Sequence, residues 1–137
     1  MLSAVQIKPD VYAVGAIDWN AREFHGYTTE QGITYNAYLI LDEKITLIDT
    51  VKYTMTDELI ERIQSIVDPA KIDVVVCNHI EMDHSSSLPA VLKVAPNAAV
   101  YASTPQGVKE LKAFYGEDLE VNGVKTGDTL NIGKRTL

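Results

Sequence analysis

Hydrophobic and polar positions along this chain follow two periods, and the switches between them mark its elements. Val11-Tyr12-Ala13-Val14-Gly15-Ala16-Ile17 is apolar and β-prone and predicts a strand. Thr34–Leu41 and Ile45–Asp49 are two more such runs, joined by polar Asp42-Glu43-Lys44, and predict a hairpin. Asp18 to Gly32 has no period and reads as a long loop. Ordered loops of that length in compact domains are often functional. From residue 55 the period becomes helical: Leu59, Ile60, Ile63, Ile66 and Val67 share one face over 55–67. Thr56 is placed to cap this helix, Asp57 and Glu58 fall in its first turn, and Asp68-Pro69 stops it. Ile72–Cys77 reads as a strand buried on both faces. A short helix over 88–94 and a strand over Ala98–Tyr101 follow. Next comes a helix from about Pro105 to Tyr115, capped by Thr104 and ended by Gly116. Leu119–Lys125 and Thr129–Ile132 look like late strands, and Gly133–Leu137 like the start of another, as though the chain stopped mid-fold. Hairpin-like strands followed by alternating helices and strands predict an α/β (α+β) domain with a mixed sheet and helices on at least one face.

Composition narrows the class further. The 137 residues suit one domain, and a 46% hydrophobic content can bury a core. A formal net charge of -7 argues against nucleic acid or an anionic membrane as partner. The single cysteine, Cys77, leaves no internal disulfide, and its apolar surroundings read as burial. No run approaches the roughly 20 apolar residues of a transmembrane helix. Met1–Gln6 lacks the basic and apolar regions of a signal peptide, so the expected location is the cytoplasm. The glycines form no phosphate-binding pattern.

Candidate chemistry is concentrated in His79-Ile80-Glu81-Met82-Asp83-His84, directly after the apolar run that ends at Cys77. In an extended segment His79 and Glu81 share a face and could address one metal. After a turn, Asp83 and His84 could address a second. Ser85, Ser86 and Ser87 then turn the chain and could cap the next helix. A solvated loop is the bland alternative. Four potential ligands in six residues, in a chain with only three histidines, favour metal. The spacing is not the helical H-E-x-x-H of zinc proteases. Asp49 ends an apolar strand, and a buried acid needs partners, so it is expected to hydrogen-bond and orient the metal loop. Trp19 reads as core or pocket wall, and Tyr35 and Tyr38 as core or sheet-face residues.

The H-x-E-x-D-H motif resembles that of the flavodiiron proteins (A-type flavoproteins), relatives of the metallo-β-lactamase superfamily. Val14–Asn20, Phe24-His25-Gly26, Thr34–Ile40, Ile48-Asp49-Thr50, Lys125-Thr126-Gly127 and Gly133-Lys134-Arg135 also resemble that family's N-terminal domain. The likeness runs over essentially all 137 residues. It implies the N-terminal half of a metallo-β-lactamase-like αββα sandwich, a mixed sheet with helices on the outer face. Residues 1–137 would be a partial domain, without the second half of the sandwich and the flavodoxin-like FMN domain.

The resemblance also implies a function. A non-haem pair of iron ions would reduce dioxygen to water, nitric oxide to nitrous oxide, or both, with electrons from FMN. The donor to the flavin would be rubredoxin or a reduced flavin or deazaflavin system. A head-to-tail homodimer would pair each iron site with the flavin of the other subunit. Carried over by position, His79 and Glu81 would bind one iron and Asp83 the other. His84 matches a position that is not always a direct ligand, and His25 would lie near the pocket. The family's site takes two further histidines and a bridging acid downstream, absent from this sequence. The chain alone is therefore expected to be inactive, and to dimerise or be poorly stable. Where the wider superfamily has H-x-H-x-D-H, this chain has Glu81. The carboxylate adds negative charge and a harder donor, which favours iron over zinc. A zinc-dependent hydrolase of the superfamily and a catalytically silent fragment are the competing readings.

Overall fold

The computed structural model describes residues 2–137. In chain order the strands and helices are β1 (Val5–Lys8), β2 (Val11–Ala13), β3 (Ala16–Asp18), β4 (Glu23–Phe24), β5 (Tyr27–Thr28), β6 (Ile33–Tyr35), β7 (Tyr38–Ile40) and β8 (Ile45–Ile48). They continue with α1 (Thr56–Gln64), β9 (Ile72–Cys77), α2 (Met82–Ser85), α3 (Leu88–Val94), β10 (Ala99–Ser103), α4 (Gln106–Tyr115) and β11 (Val121–Val124). Seven strands make one sheet in the order β1-β2-β7-β8-β9-β10-β11. The β1 to β8 pairings are antiparallel and the β8 to β11 pairings parallel, so the expected mixed sheet is present.

Cross-strand rows show why the apolar runs assemble this way. Leu39, Leu47, Val75 and Val100 are successive partners across β7, β8, β9 and β10. All four are buried in one core with Leu59 and Ile63 of α1, Leu88 and Val91 of α3, and Leu111 of α4. Side chains one residue along a strand face the other way. The neighbouring row, Ile40, Thr46 and Val74, is also buried. The next row on that second face, Tyr38, Ile48, Val76 and Tyr101, is only half-buried. The helical layer thus covers one face fully, and the second face is partly open.

Several boundaries differ from the sequence reading. The strand predicted over 11–17 breaks at Val14-Gly15, and the one over 34–41 breaks at Asn36-Ala37, because the chain leaves the main sheet there. β3 and β6 pair as a separate ribbon. The N–H groups of Val14 and Gly15 both donate to the Ala37 carbonyl, at 2.9 and 3.2 Å. Gly15 is required at this crossing: a Cβ there would collide with the Tyr35 carbonyl and stand 2.8 Å from the Ala37 nitrogen. The predicted loop over 18–32 contains a tight hairpin, with Phe24 opposite Tyr27 and positive φ at His25 (49°) and Gly26 (78°). Two successive positive φ values make the kind of two-residue turn that matches strand twist. Thr56 does not cap α1. A 3-10 turn over Tyr53–Met55 precedes the helix, and the Thr56 hydroxyl donates back to the Tyr53 carbonyl at 2.7 Å. α1 ends at Gln64, before Ile66 and Val67, and Asp68 instead caps the turn Pro69–Lys71. Neither Thr104 nor Ser87 makes a side-chain cap bond to the helix that follows it.

The last residues close on the β7–β8 turn. Leu130 and Leu137 exchange backbone hydrogen bonds at 2.9 Å, and the Lys44 N–H donates to the Ile132 carbonyl at 2.8 Å. Ile132 is fully buried. The Asp42 carboxylate accepts from the backbone N–H groups of Glu43, Lys134 and Arg135 at 2.8, 2.9 and 3.0 Å, and from the Arg135 guanidinium at 3.2 Å. Thr129–Ile132 is therefore not a sheet strand; it is one arm of a short turn-back with an isolated bridge between Asn131 and Thr136.

Candidate metal centre

The parallel pairing of β8 and β9 brings two strand ends together, Asp49 after β8 and Asn78 after β9. Asp49 has a φ of 58° and its carboxylate is 6% exposed as a residue. Its N–H donates to the Val76 carbonyl at 2.8 Å, and its Oδ1 accepts from the N–H groups of Asn78 (2.7 Å) and His79 (3.0 Å). Burial pushes the Asp49 carboxyl above its ordinary value, while those two N–H groups and the nearby His84 and His79 pull it back down. Thr50 holds the loop further on, with both its N–H (2.9 Å) and its hydroxyl (2.6 Å) donating to the His84 carbonyl.

The donor segment bends rather than running extended. His79–Glu81 leave the sheet, and α2 begins at Met82, so Asp83 and His84 sit in a single helical turn. This bend brings one donor atom each of His79, Glu81 and Asp83 within 4.8 Å of one another. His79 Nε2 lies 3.7 Å from Glu81 Oε2. His84 stands behind them, with Nε2 3.5 Å from Asp83 Oδ2 and Nδ1 3.5 Å from Asp49 Oδ2. Its ring meets that of His79 edge-on, with centroids 5.2 Å apart. His84 Nδ1 is buried and has no hydrogen-bond partner.

His25 reaches the same place from the hairpin tip, its Nε2 3.3 Å from Glu81 Oε2. Trp19 lies on the rim rather than in the core, 64% exposed. It lines an open hollow of ≈ 590 Å³ together with Phe24, Ile33, Asp83 and His84. Tyr35 is buried below, and its hydroxyl lies 3.1 Å from Asp18 Oδ2. Burial, then that carboxylate, pushes its phenol up to about 12. Cys77, also buried, has its thiol pushed up to about 12 by burial and then by the Asp49 charge. The structure thus assembles His79, Glu81, Asp83, His84, His25 and Asp49 in one cluster, with Trp19 at its edge.

The donor set fits a first-row metal. Bonds of about 2 Å to imidazole and carboxylate close a three-donor group of this spread with small side-chain rotations. His84 adds to the charge balance of the site: its unpartnered buried Nδ1 faces Asp49 Oδ2 and its Nε2 faces Asp83 Oδ2, each at 3.5 Å. Sequence reading gave Ser85 only as a turn residue and Thr50 only as part of a resembling stretch, and it assigned Tyr115 no part in shaping the loop. Thr50 adjoins Asp49 and Ser85 adjoins the motif, which is a signal of sorts. Tyr115 has none, because its contact spans 30 residues.

A family model described as ODP family beta lactamase matches residues 33–136. The chain belongs to the ODP beta-lactamase family. Its relatives are flavodiiron-type proteins. It is 46% identical over 99% of its length to a rubredoxin-oxygen oxidoreductase of Megalodesulfovibrio gigas, covering 34% of that protein. It is 44% identical over its full length to a nitric oxide reductase of Moorella thermoacetica, covering 35%. The flavodiiron protein of Giardia intestinalis superposes with a TM-score of 0.92 at 40% identity, over 99% of this chain and 33% of that one. This member of the ODP family therefore spans about a third of the length of the curated relatives it matches. Among its described residues no helix is long and apolar enough to cross a membrane.

Proposed function

We propose that this ODP-family chain supplies part of the iron-binding domain of a flavodiiron oxidoreductase, which reduces dioxygen to water, nitric oxide to nitrous oxide, or both. The observation that supports it best is the convergence of His79, Glu81 and Asp83 donor atoms within 4.8 Å, at the end of a buried strand. His79 and Glu81 would hold one iron and Asp83 the second, with further donors supplied from outside these residues. When bound, the iron pair supplies a redox-active Lewis acid for the gas. Glu81 contributes a hard anionic donor where zinc-holding relatives of the superfamily carry imidazole. Asp49 keeps the backbone of Asn78 and His79 in place and faces His84 Nδ1, which orients that ring. His25 turns its Nε2 toward Glu81 Oε2, the same oxygen that faces His79, and so restrains that carboxylate. Trp19, Phe24 and Ile33 give the hollow beside Asp83 and His84 an apolar wall, suited to a small uncharged gas. Electrons would come from FMN in a flavodoxin-like domain, brought close by a head-to-tail dimer, with rubredoxin or a reduced flavin or deazaflavin system as the donor.

Metal analysis of the gene product that carries this chain, grown with ample iron, tests the proposal. Two irons per subunit and oxygen or nitric oxide consumption with reduced rubredoxin are expected. Glu81→Ala should cut iron content by half or more. Stoichiometric zinc with ester or lactam hydrolysis would instead make the protein a hydrolase.

A further inference from the structure

The donor loop has one more anchor, on α4, made by residues outside the candidate ligand set. The Ser85 side chain is fully buried. Its Oγ lies 2.6 Å from the Ile80 carbonyl and 2.6 Å from the Tyr115 phenol. A serine hydroxyl carries a single proton, and a carbonyl has none to give. The proton on the Ser85–Ile80 line is therefore Ser85's, and the phenol must supply the other. The bonds run in one direction, from the Tyr115 O–H to Ser85 Oγ and from the Ser85 O–H to the Ile80 carbonyl. That carbonyl belongs to the peptide that joins Ile80 to Glu81, between the His79 and Glu81 donors. Ile80 also lies close to the same helix: a Cβ added at Gly107 of α4 would stand 3.5 Å from Ile80 Cδ1.

We propose that Tyr115 is a positioning residue for the donor loop, acting through Ser85 on the Ile80–Glu81 peptide and so fixing how far Glu81 stands from His79. For its effect on metal this rests on the functional reading above; for its effect on the loop it does not. Ser85 alone would hold the Ile80 carbonyl, but its hydroxyl would be free to rotate and release it. The phenol's proton occupies the serine's acceptor site and leaves the serine one direction in which to donate.

Tyr115→Phe keeps the ring and removes the proton. Backbone amide exchange of the metal-free gene product that carries this chain, and its Co(II) titration followed by visible absorption, read the result. Amides of residues 81–86 should exchange about fivefold faster, the loss expected for one hydrogen bond, while those of β9 and β10 stay unchanged. Co(II) should bind about fivefold more weakly, with a shifted ligand-field band. Ser85→Ala, which removes both bonds, should give a loop-confined acceleration at least as large; unchanged exchange in that variant would overturn the proposal even if Tyr115→Phe does not fold. Unchanged exchange, or acceleration spread evenly over the chain, would overturn the proposal. Loop-confined acceleration with unchanged Co(II) affinity and spectrum would overturn its link to the donors. If the unmodified gene product that carries this chain took up no Co(II), the functional reading would fall, while the exchange data would still judge the anchor.

Discussion

Asp42 shows how much one side chain organises here. Four donors from Glu43, Lys134 and Arg135 converge on a carboxylate whose side chain is 1% exposed. The Lys134 N–H is the largest influence on it. Despite burial, these bonds hold the group below its ordinary value of 3.8. A carboxyl whose value falls on folding stabilises the fold above its unfolded value, and this is lost as pH drops through the folded value. Asp42→Asn should therefore lower the thermal midpoint at pH 7 by a few degrees. The gap to the unmodified chain should narrow once the pH falls below 3.8, as thermal melts across a pH series would show. Gly133 belongs to the same knot: its φ is 133°, and a Cβ would stand 2.8 Å from Glu43 side-chain carbons. None of this was legible in the sequence, where Asp42 read as an ordinary turn residue. Its partners Lys134 and Arg135 lie more than 90 residues away, and no local pattern encodes them.

At the scale of elements, the sequence was most readable where burial and period agree. β9, α1 and α4 were visible because their apolar positions face one core, and the donor motif stood out because it follows β9 directly. Readability failed where the chain crosses between sheets. Val11–Ile17 and Thr34–Leu41 each read as one uninterrupted strand, yet each is cut by a crossing that depends on contact between them. The Gly15 crossing makes a test of that point. Gly15→Ala drives a methyl into the Tyr35–Ala37 backbone, which cannot rotate away, and should cost about 1–3 kcal/mol in urea unfolding. The His25-Gly26 turn was missed for a related reason: two-residue strands carry too little pattern to see, and only the positive φ pair reveals the hairpin. For the candidate site, the run of potential ligands that the structure brings together was legible and its supports were less so. Asp49 announced itself as an acid at a strand end, whereas Tyr115 meets the loop only through tertiary packing.

The whole molecule has one finished face and one unfinished face. The helices bury Leu39, Leu47, Val75 and Val100 completely, while Tyr38, Ile48, Val76 and Tyr101 on the other face stay half-buried. Apolar surface of that kind is removed from water by association. Size-exclusion chromatography of this chain at low micromolar concentration should show a dimer or larger species, and Val76→Glu should shift it toward monomer or reduce its solubility. A stable monomer would show that the second face is adequately covered as it stands.

The ties of the donor loop to Asp49, Thr50 and Tyr115 also set an order of events in time. Each tie joins residues about 30 or more positions apart, and none can exist before the later partner has been synthesised. Contacts of such separation close slowly compared with a helical turn. As the chain leaves the ribosome, His79 to His84 emerge well before the tyrosine that anchors their neighbour. The loop gains its last anchor only when α4 docks, so the cluster reaches its final shape late in folding rather than at its beginning.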